Sequence, residues 1–491
     1  MKSKVSKVFS ILLSVVLVIS SFYLLYQVIR LNVLPSKFLF PLTIGVVVLD
    51  AIFILLLVYF SKNVVSKIVC IVLTLFICVA SCFGGYYISK TQNVLSSITN
   101  VAKHAKNTVS VIVKESSSIK NKSQLNGVSV GSLRLNEQGS KKALKELSGE
   151  GIVLNQKEYD SMTALLEAFY NGEVDSIIIN ESSRSQILDM EAYSNFDSNT
   201  RVVYQTSYKV KNNDSATSVS DITSKPFNVL ISGSDTRGGF DENGRSDVIM
   251  IATVNPKTHT ILLTSVPRDF YVTTACDAGD GCMQGALDKI THTGIHGTNT
   301  TKRTVEQLLG IEINYTFKVG FDTVTELVDV LGGVDVYVEP GYATTTSQFS
   351  VHEGVNHLNA QQALAFARER YSYTEGDRQR TKNQQQVLMG IVKEVTKPSV
   401  ITNYAAIMDT MANTFSTTMS NEEITDLIKY QLNNNPTWKM EQYMVDGTGD
   451  TLMCAELGDA ASVMVPDQST VKMAKDKINA VLAGKSSEDV K

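Results

Sequence analysis

The sequence predicts an α/β protein: three N-terminal transmembrane helices, a small α/β domain, and a larger domain layered α-β-α. Three observations predict it. Three long apolar runs occupy the first 90 of 491 residues. Short β-rich runs then alternate with helical ones from about 107 to 205. Beyond 226, strands that are apolar on both faces alternate with amphipathic helices, the pattern of a sheet covered on both sides.

The apolar runs are Phe9–Ile29, Phe38–Phe60 and Ile68–Ile88, each near or above the ~20 residues that cross a hydrocarbon core. The first is too long for a signal peptide and has no small-residue cleavage site after it. Residues 1–90 carry eight basic residues and one acid, Asp50, whereas the remaining 401 carry 37 basic and 48 acidic. This acidic exterior excludes a strongly basic nucleic-acid binder. Lys2, Lys4, Lys7, Lys62 and Lys67 in the short flanks predict a cytoplasmic N-terminus, and three crossings then deliver everything after about residue 90 outside. Asp50, within the second span, reads as a helix-packing hydrogen bond in the absence of a second intramembrane charge.

A helical exit over 91–106 leads into "TVSVIV", "NGVSVGSL", "DSIIIN" and "TRVVYQT", interleaved with "KKALKEL" and "SMTALLEAFYNG". The result is an accessory α/β domain over 91–205, loosely similar to one lobe of extracellular solute-binding proteins. The polar, Ser/Thr/Asn-rich stretch 206–225 reads as a linker. Strands "FNVLIS", "DVIMIATV" and "TILLTSV" open the large domain, 226–485, ahead of a short tail, 486–491. Its helices are expected at Thr301–Gly310, Phe321–Leu331, Asn359–Arg368, Arg378–Glu394, after a cap at Asn421, and over Ser469–Leu482. Cys276 and Cys282 bracket "CDAGDGC" on the exterior side and are a disulfide candidate; Cys454 reads as buried and unpaired.

Arginine carries the functional signal. Seven of the eleven arginines beyond residue 90 sit in four short segments, "SGSDTRGG", "GRSD", "SVPRDFYV" and "FARERYSYTEGDRQR". A guanidinium fork matches phosphate oxygens in pairs, so arginines gathered in strand-end loops point to a multi-oxygen anion such as pyrophosphate. The alternative is salt bridging, for example Arg245 with Asp247 or Arg378 with Glu375. Arg368 and Arg370 are two apart and cannot share a helical face, so the helix must end there if both meet one ligand. Asp377 then reads as a cap for a helix carrying Arg380 and Gln384 four apart, its N-terminal end turned toward the anion. Asp235 and Asp247 could meet across the sheet edge and hold a hard divalent ion beside phosphate oxygens. No GxSxG, Walker loop or zinc set is present. His292 and His296, or His352 and His357, lack the context of a zinc site.

The ordered motifs "SGSDTR", "GRSD", "SVPRDFYV", "DKITH", "VEQLLGIEINY", "LVDVLGGVDVYV", "ALAFARERY" and "GDRQRTKNQQQ", spanning about 226–396, resemble the LytR-CpsA-Psr family of Gram-positive envelope proteins. Three spans plus an accessory domain look most like its capsule-associated CpsA branch. The resemblance implies a phosphotransferase that moves capsular polysaccharide or a related glycopolymer from an undecaprenyl pyrophosphate carrier to peptidoglycan. It also implies an apolar tunnel for the isoprenoid tail and a side pyrophosphatase activity. It places pyrophosphate contacts on Arg245, Arg268, Lys289, Arg368, Arg370, Arg380 and Gln384, and Mg2+ (Mn2+ as the substitute) on Asp235 and Asp247. Arg237 and Asp269 fall in the same motifs. Arg268, Arg370, Asp247 and Asp269 are the catalytic candidates. The partners implied are the polyprenyl lipid with its polymer, the peptidoglycan acceptor, the membrane and other capsule-assembly proteins, with no nucleic acid. Asn383 stands where the family often has Arg, so that position supplies no charge. Two competing readings are a membrane-bound regulator of capsule expression, which would need the large domain inside the cell, and a lipid-binding module that performs no transfer.

Overall fold

The computed structural model describes residues 2–490 except 61–62, 100–103, 135–136, 235–241, 278–281, 398–399 and 412–414. The chain divides into two compact units. The first comprises 1–99, 392–412 and 420–437, and the second the remainder.

In the first unit the apolar runs form helices α1 (Lys2–Leu31), α2 (Ser36–Leu55) and α3 (Val64–Thr99). Each is long and apolar enough to cross a membrane. Asp50 accepts a hydrogen bond from the Ser21 hydroxyl at 2.9 Å, tying α2 to α1. At 36 residues, α3 spans about 54 Å at 1.5 Å per residue, far more than a ~30 Å hydrocarbon core needs. Its C-terminal extension meets helices Val400–Met411 and Asn421–Asn434. Lys90 bonds Asp409 at 2.7 Å and Thr99 donates to Asn421 at 2.6 Å. Two stretches read as parts of the large domain thus pack with the membrane helices. Ser420, not Asn421, caps the second of these helices, in a reciprocal box with Glu423, which leaves the Asn421 side chain for Thr99.

The second unit is built on two large sheets, with four two-stranded ones among the described residues. In the first, β1 (His104–Lys114), β2 (Ser129–Leu133), β3 (Asn155–Tyr159), β4 (Ser176–Asn180) and β5 (Thr200–Lys211) take the order β3-β2-β4-β1-β5. Between them lie α4 (Glu137–Gly149), α5 (Met162–Asn171), α6 (Arg184–Asp189) and α7 (Phe196–Asn199). Strand β1 is buried from Val109 to Val113, as an unbroken apolar run requires. Ala143 and Leu147 of α4 cover one face, and Leu165, Leu166 and Phe169 of α5 the other. The edge strand β3, "NQKEY", is polar and exposed and has no apolar alternation to announce it.

Strand β5 runs through Lys211, six residues into the stretch read as linker, because 206–211 pairs with the early half of β1. The rest of that stretch is docked. Thr217 N bonds Asn314 O at 2.8 Å, and Asp214 accepts from Thr316 at 2.7 Å. Burial pushes the Asp214 carboxyl up to about 6, against the pull of that hydrogen bond and of Lys302 and Lys318. A carboxyl whose folded pKa lies above its unfolded value keeps its proton through the interval, so stability falls as pH rises from about 4 to about 6. Asp214→Asn should therefore raise Tm at pH 7.5 and flatten the Tm profile across that window. An unchanged profile in thermal melts would contradict the assignment.

The larger sheet is built from β6 (Phe227–Ser234), β7 (Val248–Asn255), β8 (Thr260–Val266) and later strands. Short strands β9 (Tyr271–Thr273) and β10 (Leu287–Lys289) form a hairpin before α8 (Thr298–Leu309), β11 (Tyr315–Gly320) and α9 (Phe321–Leu331). Strands β12 (Val334–Val338), β13 (Thr344–Thr345), β14 (Ser350–Val351) and β15 (Gly354–Leu358) make two small hairpins. Helices α10 (Ala360–Arg368), α11 (Asp377–Val395), α12 (Val400–Met411) and α13 (Asn421–Asn434) follow, with β16 (Phe415–Thr417) between the last two. Strand β17 (Lys439–Met444), the hairpin β18 (Gly447–Cys454) and β19 (Asp459–Pro466), and α14 (Gln468–Leu482) complete the chain. The six-stranded order is β16-β11-β6-β7-β8-β17. Val305 and Leu309 of α8 and Val471, Ala474, Ile478 and Val481 of α14 bury one face against Leu230, Ile251 and Leu262. On the other side, Gln385 of α11 donates to the Leu263 and Tyr443 carbonyls at 3.3 and 2.8 Å. The result is a three-layer α-β-α arrangement.

Candidate active site

Register decides where the chemistry falls. Strands β6, β7 and β8 are an antiparallel meander, β11 is parallel to β6, and β17 is parallel to β8. Gly233 faces Val248 and Ile249 faces Val266, while Gly320 pairs with Ser234 and Met444 with Ser265. The C-terminal ends of β6, β8, β11 and β17 and the N-terminal end of β7 therefore share one edge. Arg245 and Asp247 enter β7 there, and Arg268 and Asp269 leave β8 there.

Asp247 is the hub. Its Oδ1 accepts from Arg268 Nη1 at 2.8 Å and from the Thr291 hydroxyl at 3.4 Å, with Arg245 Nε 4.0 Å away. Arg268 Nε lies 3.8 Å from Asp269, whose other oxygen is 3.2 Å from Lys289 Nζ. Arg380 Nη2 donates to Asp377 Oδ1 at 2.7 Å. Burial opposes the charge on Arg268, yet Asp247, Asp269 and the hydrogen bond to Asp247 more than offset it, so its pKa stands above the ordinary value. Arg380 is shifted the other way: burial lowers its pKa most, Asp377 pulls it back, and the repulsion of Arg268 and Arg370 adds to the lowering. The repulsion that Arg380 feels from Arg268 and Arg370 places the 366–380 segment at the end of β8.

Arg245, Arg268 and Arg380 share a further property. In each, the Nε is buried without a hydrogen-bond partner among the described residues, while a terminal nitrogen is held by a carboxylate. A buried, unsatisfied guanidinium N–H is costly unless an acceptor arrives. Two of these groups flank the sheet edge and the third lies on α11, and each is a donor open to an acceptor.

Helix α10 ends at Arg368, and Glu369 leaves the helical region, as the spacing of Arg368 and Arg370 requires. Arg370 donates to its neighbour Tyr371 at 2.7 Å and stacks on that ring. Arg368 is exposed. Gln384 is half-buried, one turn beyond Arg380. Asp377 is the first residue of α11 rather than its cap, and its carboxylate goes to Arg380. The salt-bridge reading of Arg245 is partly met, since Asp247 and Asp189 both approach it. Arg378 pairs with Asp446 at 3.0 Å instead of Glu375, which accepts from Tyr342. Asn383 is buried and donates to the Phe366 carbonyl at 3.0 Å, a packing role. Asp235 and Arg237 lie outside the described residues.

Sequence reasoning passed over Thr291, Ser246 and Gly294. Ser246 N bonds Thr291 O at 3.0 Å, and its hydroxyl is within reach of Ser232 and Thr301. Ser246 and Thr291 fall within "GRSD" and "DKITH", but their contacts run to residues 14 to 55 positions away, which no local spacing reveals. Cys276 and Cys282 are bonded, and Cys454 is buried with its thiol pushed up to about 12 by burial. His292 and His296 line a separate cleft of about 250 Å3, paired with Asp288 at 2.7 Å and Glu456 at 2.9 Å. A second cleft, of about 260 Å3, includes Glu339, Gln379 and Lys382. Polar groups line both, so neither is the apolar tunnel that the resemblance implies. Among the described residues no group of three or more His, Cys, Asp or Glu side chains could cage a metal ion. The donor set at Asp247 fits only an ion that completes its shell with phosphate oxygens and water, the habit of Mg2+.

Fold and site together define an α/β protein with three N-terminal apolar helices and a cluster of arginines and aspartates at one sheet edge. The LytR_cpsA_psr family model matches residues 192–480, more than half of the chain, and the chain belongs to that family. A polyisoprenyl-teichoic acid–peptidoglycan teichoic acid transferase, TagU, of Bacillus cereus (strain AH820) is 31% identical over 241 residues, covering 48% of this chain and 76% of that protein. TagU of Bacillus subtilis (strain 168) is 34% identical over 203 residues, covering 41% and 63%. The crystal structure of B. subtilis TagU superposes with a TM-score of 0.41 at 28% identity, over 52% of this chain and 97% of that one.

Proposed function

We propose that this protein transfers a glycopolymer from a polyprenyl pyrophosphate carrier to peptidoglycan, as a membrane-anchored phosphotransferase acting outside the cell. Capsular polysaccharide or a related polymer is the cargo. The observation that carries the reading is the set of three buried guanidinium Nε donors, two flanking the sheet edge and one on α11. The names of the TagU relatives support the substrate class. The N-terminal flanking lysines and the Cys276–Cys282 disulfide support the exterior location.

A wall hydroxyl attacks the sugar-proximal phosphorus. The new P–O bond forms as the bond to the bridging oxygen breaks, and polyprenyl phosphate leaves. Arg245, Arg268, Arg370 and Arg380 neutralise charge on the non-bridging and leaving oxygens, with Lys289 held beside them by Asp269. Catalysis of this kind is positioning and charge stabilisation. The Asp269 side chain is 32% exposed and that of Asp247 is 13%, so Asp269 takes the hydroxyl proton, and Asp247, with Asp235, would hold the metal. Mg2+, or Mn2+ in its place, would supply Lewis-acid neutralisation of the phosphate oxygens when bound. Water in place of the acceptor gives a side pyrophosphatase activity.

The test is transfer by the full chain in liposomes that carry a lipid-pyrophosphate-linked polymer, with peptidoglycan as acceptor. Polymer should become wall-bound and polyprenyl phosphate should accumulate; binding of the lipid with neither product would refute the transferase reading. Excess EDTA should abolish turnover and added Mg2+ should restore it. Unchanged turnover in EDTA would remove the metal from the account.

A further inference from the structure

The accessory domain reaches the site. Asp189, the last residue of α6, accepts a hydrogen bond from Arg245 Nη1. The Arg245 side chain is 11% exposed in this pairing. Helix α6 is held from below: Arg184 forks onto Glu181 at 2.6 and 2.7 Å and bonds Asp197 at 2.9 Å. The segment that carries Arg245 is fastened to the same domain at its start. Glu242 is buried, accepts from Thr108 and lies 3.3 Å from Lys106, both on β1.

The pattern at Arg245 repeats the one at Arg268. A carboxylate holds Nη1, Asp189 in one case and Asp247 in the other, and the Nε is left buried without a hydrogen-bond partner among the described residues. A guanidinium pinned at one end has its other edge aimed before a phosphate arrives, so less rotamer freedom is lost on binding. A carboxylate that competed with the ligand would instead cover the edge a phosphate needs.

We propose that Asp189 is a positioning residue for the anion site, by which the accessory domain orients Arg245 and completes pyrophosphate binding. The inference rests on the reading of the site given under Proposed function.

The experiment measures inorganic pyrophosphate binding, by calorimetry, to the full chain in detergent. The panel is wild type, Asp189→Ala, Asp189→Asn, Arg245→Ala, Arg268→Ala and Asp189→Ala combined with Arg245→Ala. Loss of a charge-assisted positioning bond should weaken binding about tenfold in Asp189→Ala. Asp189→Asn, which keeps an acceptor oxygen, should recover most of it. In the Arg245→Ala background the Asp189 change should add nothing. Tighter or unchanged binding in Asp189→Ala, or an equal loss with and without Arg245, would overturn the proposal. A failure of the underlying reading looks different: wild type and Arg268→Ala would both fail to bind pyrophosphate.

Discussion

Replacing Arg268 by alanine is expected to lower polymer transfer by about 10^2-fold or more, the scale seen when a preorganised donor to developing charge is removed. Arg268 is the residue on which the site is hung. It touches Asp247 at 2.8 Å, lies 3.8 Å from Asp269, and feels Asp377 across the pocket. Its backbone carbonyl also accepts from Thr291 N at 3.0 Å, a bond the substitution leaves in place. The fold should therefore survive. Arg268→Lys separates charge from geometry: it keeps the cation and loses the fork, so activity should remain far below wild type. Near-normal transfer by the folded lysine variant would mean that a point charge suffices there.

The second large effect is expected at Gly294, a position with no functional group. A methyl group built there would stand 2.5 Å from the Gly244 carbonyl oxygen, 2.6 Å from Ser246 N and 2.5 Å from Ser246 Oγ. Two of the three are backbone atoms of the segment that presents Arg245, so the strain cannot be relieved by a side-chain rotation. Gly294→Ala should cost about 1–3 kcal/mol of stability, as overpacking does, and should displace Arg245 and Asp247 together. Both Tm and transfer should fall. A variant that melts and transfers like wild type would show that the 244–246 segment tolerates movement and that its placement is not what sets the rate.

These two residues also show what could be read from the chain alone. The place of Arg268 was legible because its setting is local: a proline, an arginine and an aspartate after the β-rich run "TILLTSV" announce a strand end and a charge. The ending of α10 between Arg368 and Arg370 was legible for a similar reason, since helical geometry forbids their sharing a face. Gly294 was not, because its constraint comes from a backbone 48 residues away. Asp189 was not, because it ends a helix of the accessory domain and nothing in "ILDMEAY" distinguishes its carboxylate. Asp377 was read as a helix cap and Arg378 as the partner of Glu375, yet Asp377 pairs with Arg380 and Arg378 with Asp446. Ion pairs follow the fold once burial and register have brought other partners closer. The polar stretch after residue 205 looked like a tether for want of apolar periodicity. Backbone pairing with β1 and a buried carboxyl at Asp214 fix it instead, and neither requires an apolar signature.

The most direct test of the central claim is a crystal structure of the full chain with polyprenyl diphosphate bound. The account predicts diphosphate oxygens within hydrogen-bonding distance of the Nε atoms of Arg245, Arg268 and Arg380, with the isoprenoid chain leading away from that sheet edge. A head group bound elsewhere, with those three nitrogens still unpartnered, would contradict it.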